Sequence, residues 1–234
     1  VTQEIAEVRG RTPGVDIISP ARFEDTGTRE GMRRKVAELR ERSGGKPIGI
    51  KLAAGNIEAD LEFALFAEPD FITLDGRAGA TGAAPKVVKD STSIPTVFAL
   101  YRARKFLLEH GADNVSLIIT GGLRISSDFA KALALGADAV AIATAALMAA
   151  GCQQYRICNT GRCPVGITSQ DPELRQRLYI DESARRLENF LRVSTEELTT
   201  FARLTRNDDV HQLSISDIST TSAEVSGHTA IEHV

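Results

Sequence analysis

The sequence reads as an α/β protein whose strand–helix units fit half of a (β/α)8 barrel, and three observations predict it. Short apolar runs at 47–53, 70–74, 115–119 and 139–143 alternate with longer segments of helical periodicity. The runs begin near 48, 71, 115 and 139, at steps of 23, 44 and 24 residues. Such steps are too long for hairpins and suit helix crossovers between parallel strands. Glycines gather where strands end, at 76–82 and 121–122, the carboxyl end at which α/β folds build their sites. A full barrel takes roughly 250 residues for eight units, whereas 47–150 holds four. An open doubly wound sheet is the alternative, and the glycine-rich turns fall at the strand ends in either.

The elements follow in order. Residues 1–14 are polar and read as an extended lead-in. Residues 15–18 read as a short strand or buried loop stopped by Pro20. A surface helix is expected over 30–42, with Met32, Val36 and Leu39 at helical spacing and Gly44 and Gly45 ending it. The 47–53 run is a buried strand, followed by a helix over 57–67 with Ile57, Leu61, Ala64 and Leu65 on one face. Next come a strand at 70–74, a helix at 96–110, a strand at 115–119 and a helix at 126–135 with a serine-rich start suited to capping. A strand at 139–143 and a small-residue helix at 145–150 complete four units. Beyond them 179–207 is helical in pattern, with Leu187, Phe190, Leu191 and Leu198 set to pack on the barrel. The stretch 207–234 is rich in Ser and Thr and reads as a polar tail, poorly ordered or docked on something absent. The division is therefore 1–176 as barrel with a cysteine loop at 151–166, 177–206 as C-terminal helices, and 207–234 as tail.

Composition narrows the function. Hydrophobic residues at 42% and charged residues at 25% suit a globular core. With 28 Lys and Arg against 31 Asp and Glu, the net charge of −3 excludes a broadly basic nucleic-acid binder. The longest uncharged apolar run, 139–152, falls short of the roughly 18 residues of a membrane span. The chain begins with Val1 and carries no signal-peptide pattern, which reads as a fragment or one piece of a split protein and points to the cytoplasm.

Four groups carry chemistry. Thr120, Gly121, Gly122 and Leu123 follow one strand; Ala143, Thr144 and Ala145 follow the next. Glycines let backbone N–H groups approach a phosphate, and helix starts favour an anion; the plainer reading is a tight turn. Lys51 alternates onto the face of Gly49 and Ala53, opposite Ile50 and Leu52. It is either a cation beside a flavin ring or a lysine paired with a barrel carboxylate. The 75–85 loop, with Gly76, Gly79 and Gly82, allows close backbone approach to a flat or anionic ligand. The chain's 3 cysteines, Cys152, Cys158 and Cys163, fall within one loop, and Pro164 follows the last. An odd, clustered trio is a poor disulfide framework, and three thiolates suit a cluster better than a four-ligand structural zinc. Arg156 and Arg162 would offset the thiolate charge.

On these residues the chain resembles the FMN-binding synthase domain of glutamate synthase, above all the short archaeal-type large subunit and relatives such as the N-methylglutamate synthase subunit. The likeness runs through 13–20, 51–56, Asp75 and Gly76 with 81–85, Gly121 and Gly122, 144–147, and 163–172. Gly-Gly features are shared with other FMN barrels and with IMP dehydrogenases; the cysteine trio after the last strand decides. The resemblance implies the C-terminal half of an FMN-containing (β/α)8 TIM barrel and a 3Fe–4S cluster on Cys152, Cys158 and Cys163. In the family, electrons reach FMN through the cluster. Reduced FMN then gives a hydride to 2-iminoglutarate, formed from 2-oxoglutarate and ammonia, to yield L-glutamate. Gly121, Gly122, Ala143 and Thr144 would lie at the FMN phosphate, Ala143 standing where the family has Gly, and Ala78 and Ala80 sit in a loop usually richer in Gly. Lys51 would lie by the flavin or substrate as the catalytic cation. The partners implied are the N-terminal barrel half, a glutaminase domain and an electron-donor subunit or ferredoxin. Two other readings stand: the same barrel acting on methylamine, and a non-catalytic half-barrel, a remnant or interaction module with a structural metal site.

Overall fold

Four parallel strands lie in the order of the chain, each joined to the next through helix on one side of the sheet. The computed structural model describes residues 1–18, 23–77, 79–81 and 84–234. The elements are α1 (Gln3–Arg9), α2 (Arg29–Arg42), β1 (Gly49–Ala53), α3 (Ile57–Leu65), β2 (Phe71–Asp75), α4 (Lys86–Ser91), α5 (Thr96–Glu109) and β3 (Ser116–Thr120). They continue with α6 (Ser126–Ala134), β4 (Ala139–Val140), α7 (Thr144–Ala149), α8 (Pro172–Arg175), α9 (Ile180–Leu204), β5 (Ser219–Thr220), α10 (Ala223–His228) and β6 (Glu232–His233). The parallel order β1-β2-β3-β4, with a crossover at each step, is the half-barrel expected from the spacing.

Strand alternation divides the sheet into two unlike faces. Register places Ile50 beside Ile72 and Leu117, and Leu52 beside Leu74 and Ile119. This face packs on α3 and α5, and Ile72, Leu74, Leu117 and Ile119 are fully buried. Burying each such side chain is worth about 1.5–3 kcal/mol. The opposite face carries Lys51, Thr73 and Ile118 in one row and Ala53, Asp75 and Thr120 in the next. Its residues are exposed or half-buried.

Two matching clasps close the amino-terminal rim. The Asp70 carboxylate accepts from the Ile48 amide at 2.6 Å and from Arg40 at 2.8 Å, while Arg40 also donates to the Glu68 carbonyl at 2.9 Å. The Asp138 carboxylate accepts from the Leu117 amide at 2.6 Å and from Arg104 at 2.6 Å, and Arg104 also donates to the Gly136 carbonyl at 2.6 Å. Glu68 and Gly136, each two residues before its aspartate, both have positive φ, 54° and 96°. The Ile48 amide and then Arg40 hold the Asp70 carboxyl below its ordinary value.

Several expectations need correction. Residues 15–18 form no strand and are not buried; Ile18 is 89% exposed. Pro20, expected to stop that strand, lies outside the described residues, as do Ser19, Ala78, Gly82 and Ala83. Helix α4 had no periodicity to announce it. The 139–143 run pairs as strand over two residues only. The serines opening α6 do not cap it; Asp128 does, accepting from the Arg124 amide at 2.9 Å, while the Ser126 hydroxyl bonds Glu197 on α9. On α9, Leu198 and Phe201 pack against Ala130, Leu133, Ala134 and Leu213, whereas Leu191 is 47% exposed.

The stretch expected as a polar tail is docked on the barrel helices. Leu213 and Ile231 are buried, and Ile215, Ile218 and Val225 pack on the same core. Few apolar residues hid this, but those few are spaced to face the core. His211 pins the stretch to β4: one ring nitrogen meets the Asp138 carbonyl at 3.1 Å and the other the Asp209 carboxylate at 2.9 Å. Asp209 first, then the Asp138 carbonyl, raise the His211 pKa.

Candidate functional site

A cleft of about 770 Å³ opens at the carboxyl ends of the strands, and Lys51, Gly121, Gly122, Ala143 and Thr144 all line it. The topology accounts for the gathering. Parallel strands end on one rim, so the loops after β3 and β4 become neighbours although about twenty residues separate them in sequence.

Gly121 and Gly122 divide the labour expected of them jointly. Gly121 is buried at φ 112°, and a Cβ there would stand 2.2 Å from the Gly76 carbonyl oxygen. Its own carbonyl accepts from the Thr96 hydroxyl at 2.6 Å. A Cβ on Gly76 would in turn meet Thr96 at 2.3 Å. These glycines thus serve backbone packing among the loop after β2, the start of α5 and the loop after β3. Gly122, at φ 79°, is exposed on the cleft wall. Ala143 has φ −127° and ψ −69°, outside the left-handed region, so an alanine in the family's glycine position carries no left-handed strain there. Thr144 opens α7, whose first-turn N–H groups lack intrahelical acceptors.

Lys51 lies on the open face of the sheet, as alternation predicted, and its Nζ is 2.9 Å from a carboxylate oxygen of Asp75 on β2. The carboxylate-paired reading of this lysine is therefore observed, and the pair stands in the cleft wall. Lysine is 60% exposed and aspartate 19% exposed, so the pair keeps a cationic side chain facing the cleft from a fixed base.

Sequence reasoning passed over Asp75 as the partner of Lys51, and it missed Arg124. Arg124 lines the cleft two residues after Gly122, and a cation so soon after a glycine pair at a strand end was the available signal. Gln154, Arg156 and Asn159 line it too, from the cysteine loop. Arg156, expected to offset thiolate charge, stands on the cleft wall.

The cysteines do not assemble as expected. All 3 are free, Cys163 buried and the other two half-buried. Among the described residues, no three His, Cys, Asp or Glu side chains are placed to hold a metal ion. Cys152 accepts from the Gln154 amide at 3.4 Å, and Cys158 opens a short 3-10 turn. Burial pushes the Cys163 thiol up, but the Thr168 and Val165 amides, the Thr168 hydroxyl and the Ile167 amide outweigh it and bring it below its ordinary value. The structure therefore lends no support to a three-thiolate 3Fe–4S cluster among the described residues, and no chemistry is derived through one.

Comparison with known proteins agrees with the fold and names a family. The fold resembles a flavocytochrome b2 variant with sulfite bound, at a TM-score of 0.53 and 17% identity over 90% of this chain and 41% of that one. Archaeal-type glutamate synthase [NADPH] of Thermotoga neapolitana is 41% identical over 201 residues, 85% of this chain and 40% of that protein. Archaeal glutamate synthase [NADPH] of Archaeoglobus fulgidus is 40% identical over 201 residues, covering 85% and 39%. A glutamate synthase large subunit-like protein of Rhizobium meliloti is 36% identical over 236 residues, covering 93% and 53%. The chain thus spans about 40% of the length of the archaeal-type relatives. Residues 1–208 match the model of the conserved region in glutamate synthase, and the chain belongs to that family.

Proposed function

We propose that this chain is the C-terminal part of the catalytic barrel of an FMN-dependent glutamate synthase-type oxidoreductase. The observation that carries the reading is that every residue expected at the cofactor lines one cleft at the strand ends of a chain from this family. The donor set fits a flavin nucleotide. Exposed Gly122, the first turn at Thr144 and the Arg124 guanidinium suit a phosphate, and the cleft lies in the range of small-molecule sites. Gly122 allows close approach, Arg124 supplies charge, and Thr144 supplies a hydroxyl and an amide. Lys51, steadied by Asp75, keeps positive charge at the cleft wall, where it favours a negatively charged ring or substrate. Bound FMN would supply hydride transfer, here to 2-iminoglutarate from 2-oxoglutarate and ammonia, giving L-glutamate.

The open face of the sheet is the side that faces inward in a closed barrel. Its row of exposed Lys51 and half-buried Thr73 and Ile118 supports an N-terminal barrel half as the partner that covers it. A glutaminase domain would supply ammonia, and an electron-donor subunit or ferredoxin the electrons. No helix among the described residues is long and apolar enough to cross a membrane, and we place the enzyme in the cytoplasm.

The test is FMN titration, followed by fluorescence quenching, into the chain alone and into the chain co-expressed with a complementary barrel half. Saturable binding that weakens in Arg124→Gln is the expected result. No saturable binding in either form overturns the reading.

A further inference from the structure

We propose that Arg156, carried with Gln154 and Asn159 on the loop after α7, is the group that recognises a substrate carboxylate in this cleft. The inference rests on the cleft's being the active site proposed above and adds the residue that reads the substrate anion.

Charge bookkeeping singles out Arg156. The whole chain carries −3, yet cations outnumber carboxylates on this wall. Lys51 is paired with Asp75, and Lys86 with Asp90. Neither Arg124 nor Arg156 is in an ion pair among the described residues, although Asp90, the partner of Lys86, also feels the charge of Arg156. A cleft with two guanidinium groups outside ion pairs is suited to a ligand with two anionic ends. Arg124 shares the loop of Gly122, proposed above for the phosphate, which leaves Arg156 on a different loop for the second anion.

The loop is shaped to present it. Gln154 and Arg156 have φ of 57° and 58°, a left-handed backbone that residues with a Cβ rarely adopt. Such conformations persist where the surroundings over-determine them, and they cluster at ligand clamps. Both residues line the cleft, and Asn159 joins them from the next turn. A guanidinium is a planar fork that grips a carboxylate through two parallel N–H donors. Flanking amides can donate to the remaining lone pairs or to an adjacent keto or imino group. The dicarboxylic oxo-acid of the proposed reaction is therefore the fitting probe.

The experiment titrates 2-oxoglutarate into the wild-type protein, with and without FMN, and into Arg156→Gln and Arg156→Lys. Truncating one side of a close charge pair weakens binding by tenfold or more, so Arg156→Gln is expected to lose about tenfold or more in 2-oxoglutarate affinity. Arg156→Lys should fall between, since charge without the fork is a partial substitute. FMN affinity and melting temperature should stay at wild-type values in both, while Arg124→Gln shows the reverse pattern. The proposal is overturned if wild type binds no 2-oxoglutarate, if Arg156→Gln binds it normally, or if FMN affinity falls in step. If wild type binds no FMN but binds 2-oxoglutarate through Arg156, the flavin reading fails and this one stands.

Discussion

One face of the four-stranded sheet is finished and the other is not. Ile72, Leu74, Leu117 and Ile119 are sealed beneath helices, while one residue along each strand Lys51, Thr73 and Ile118 are left accessible. Both faces come from the same strands, so the difference is not one of β propensity. It lies in what each face meets: helices carried by this chain on one side, and on the other a cleft wall carrying the Lys51–Asp75 pair. Stability and chemistry are thereby assigned to alternate residues, and a substitution's outcome depends on parity.

The sharpest way to break that comparison is a pair of neighbouring truncations. Leu117→Ala empties a fully buried site and should cost about 2–5 kcal/mol in chemical denaturation, whereas Ile118→Ala should cost about 1 kcal/mol. Equal costs would mean that the two faces do not differ as described. Next in size is the glycine pair. Gly121→Ala drives a Cβ against the Gly76 carbonyl and should destabilise by about 2–3 kcal/mol, while Gly122→Ala takes on the strain of a left-handed backbone, about 1 kcal/mol. FMN affinity should fall in Gly122→Ala before stability does. Ile231→Ala should cost about 2 kcal/mol and raise hydrogen exchange across 210–233, because this side chain fastens the C-terminal stretch to the core. The smallest effect concerns pH. His211 has its pKa raised by Asp209 and the Asp138 carbonyl. Its contribution is complete below the ordinary histidine value and fades as pH rises through the raised one. Limited proteolysis of the C-terminal stretch should therefore quicken with rising pH in wild type and change less in His211→Gln.

Much of this arrangement was legible in the residues. Alternation in 47–53 placed Lys51 on the open face, because strand geometry has a period of two wherever it occurs. Spacing found the parallel order, because a crossover helix needs its length. The Gly-Gly turn announced a site but not which glycine faces it; that depends on Gly76 and Thr96, which approach from other loops. The C-terminal stretch was misread because its few apolar residues fall in irregular turns with no period to detect. The cysteine trio is a related case. Spacing says that three thiols can converge, but the Cys163 thiol is held by donors from 165–168, local contacts that carry no periodic trace.

The paired clasps at the amino-terminal rim have a consequence for how the half-barrel is assembled. In each, an aspartate preceding an even-numbered strand grips an amide at the start of the strand before it, and an arginine from the helix preceding that odd strand locks the aspartate and a carbonyl two residues upstream. The recurrence of the device means that each even strand is fastened to the odd strand before it by a side chain as well as by the ladder, which matters most at β3 and β4, whose ladder is only two residues long.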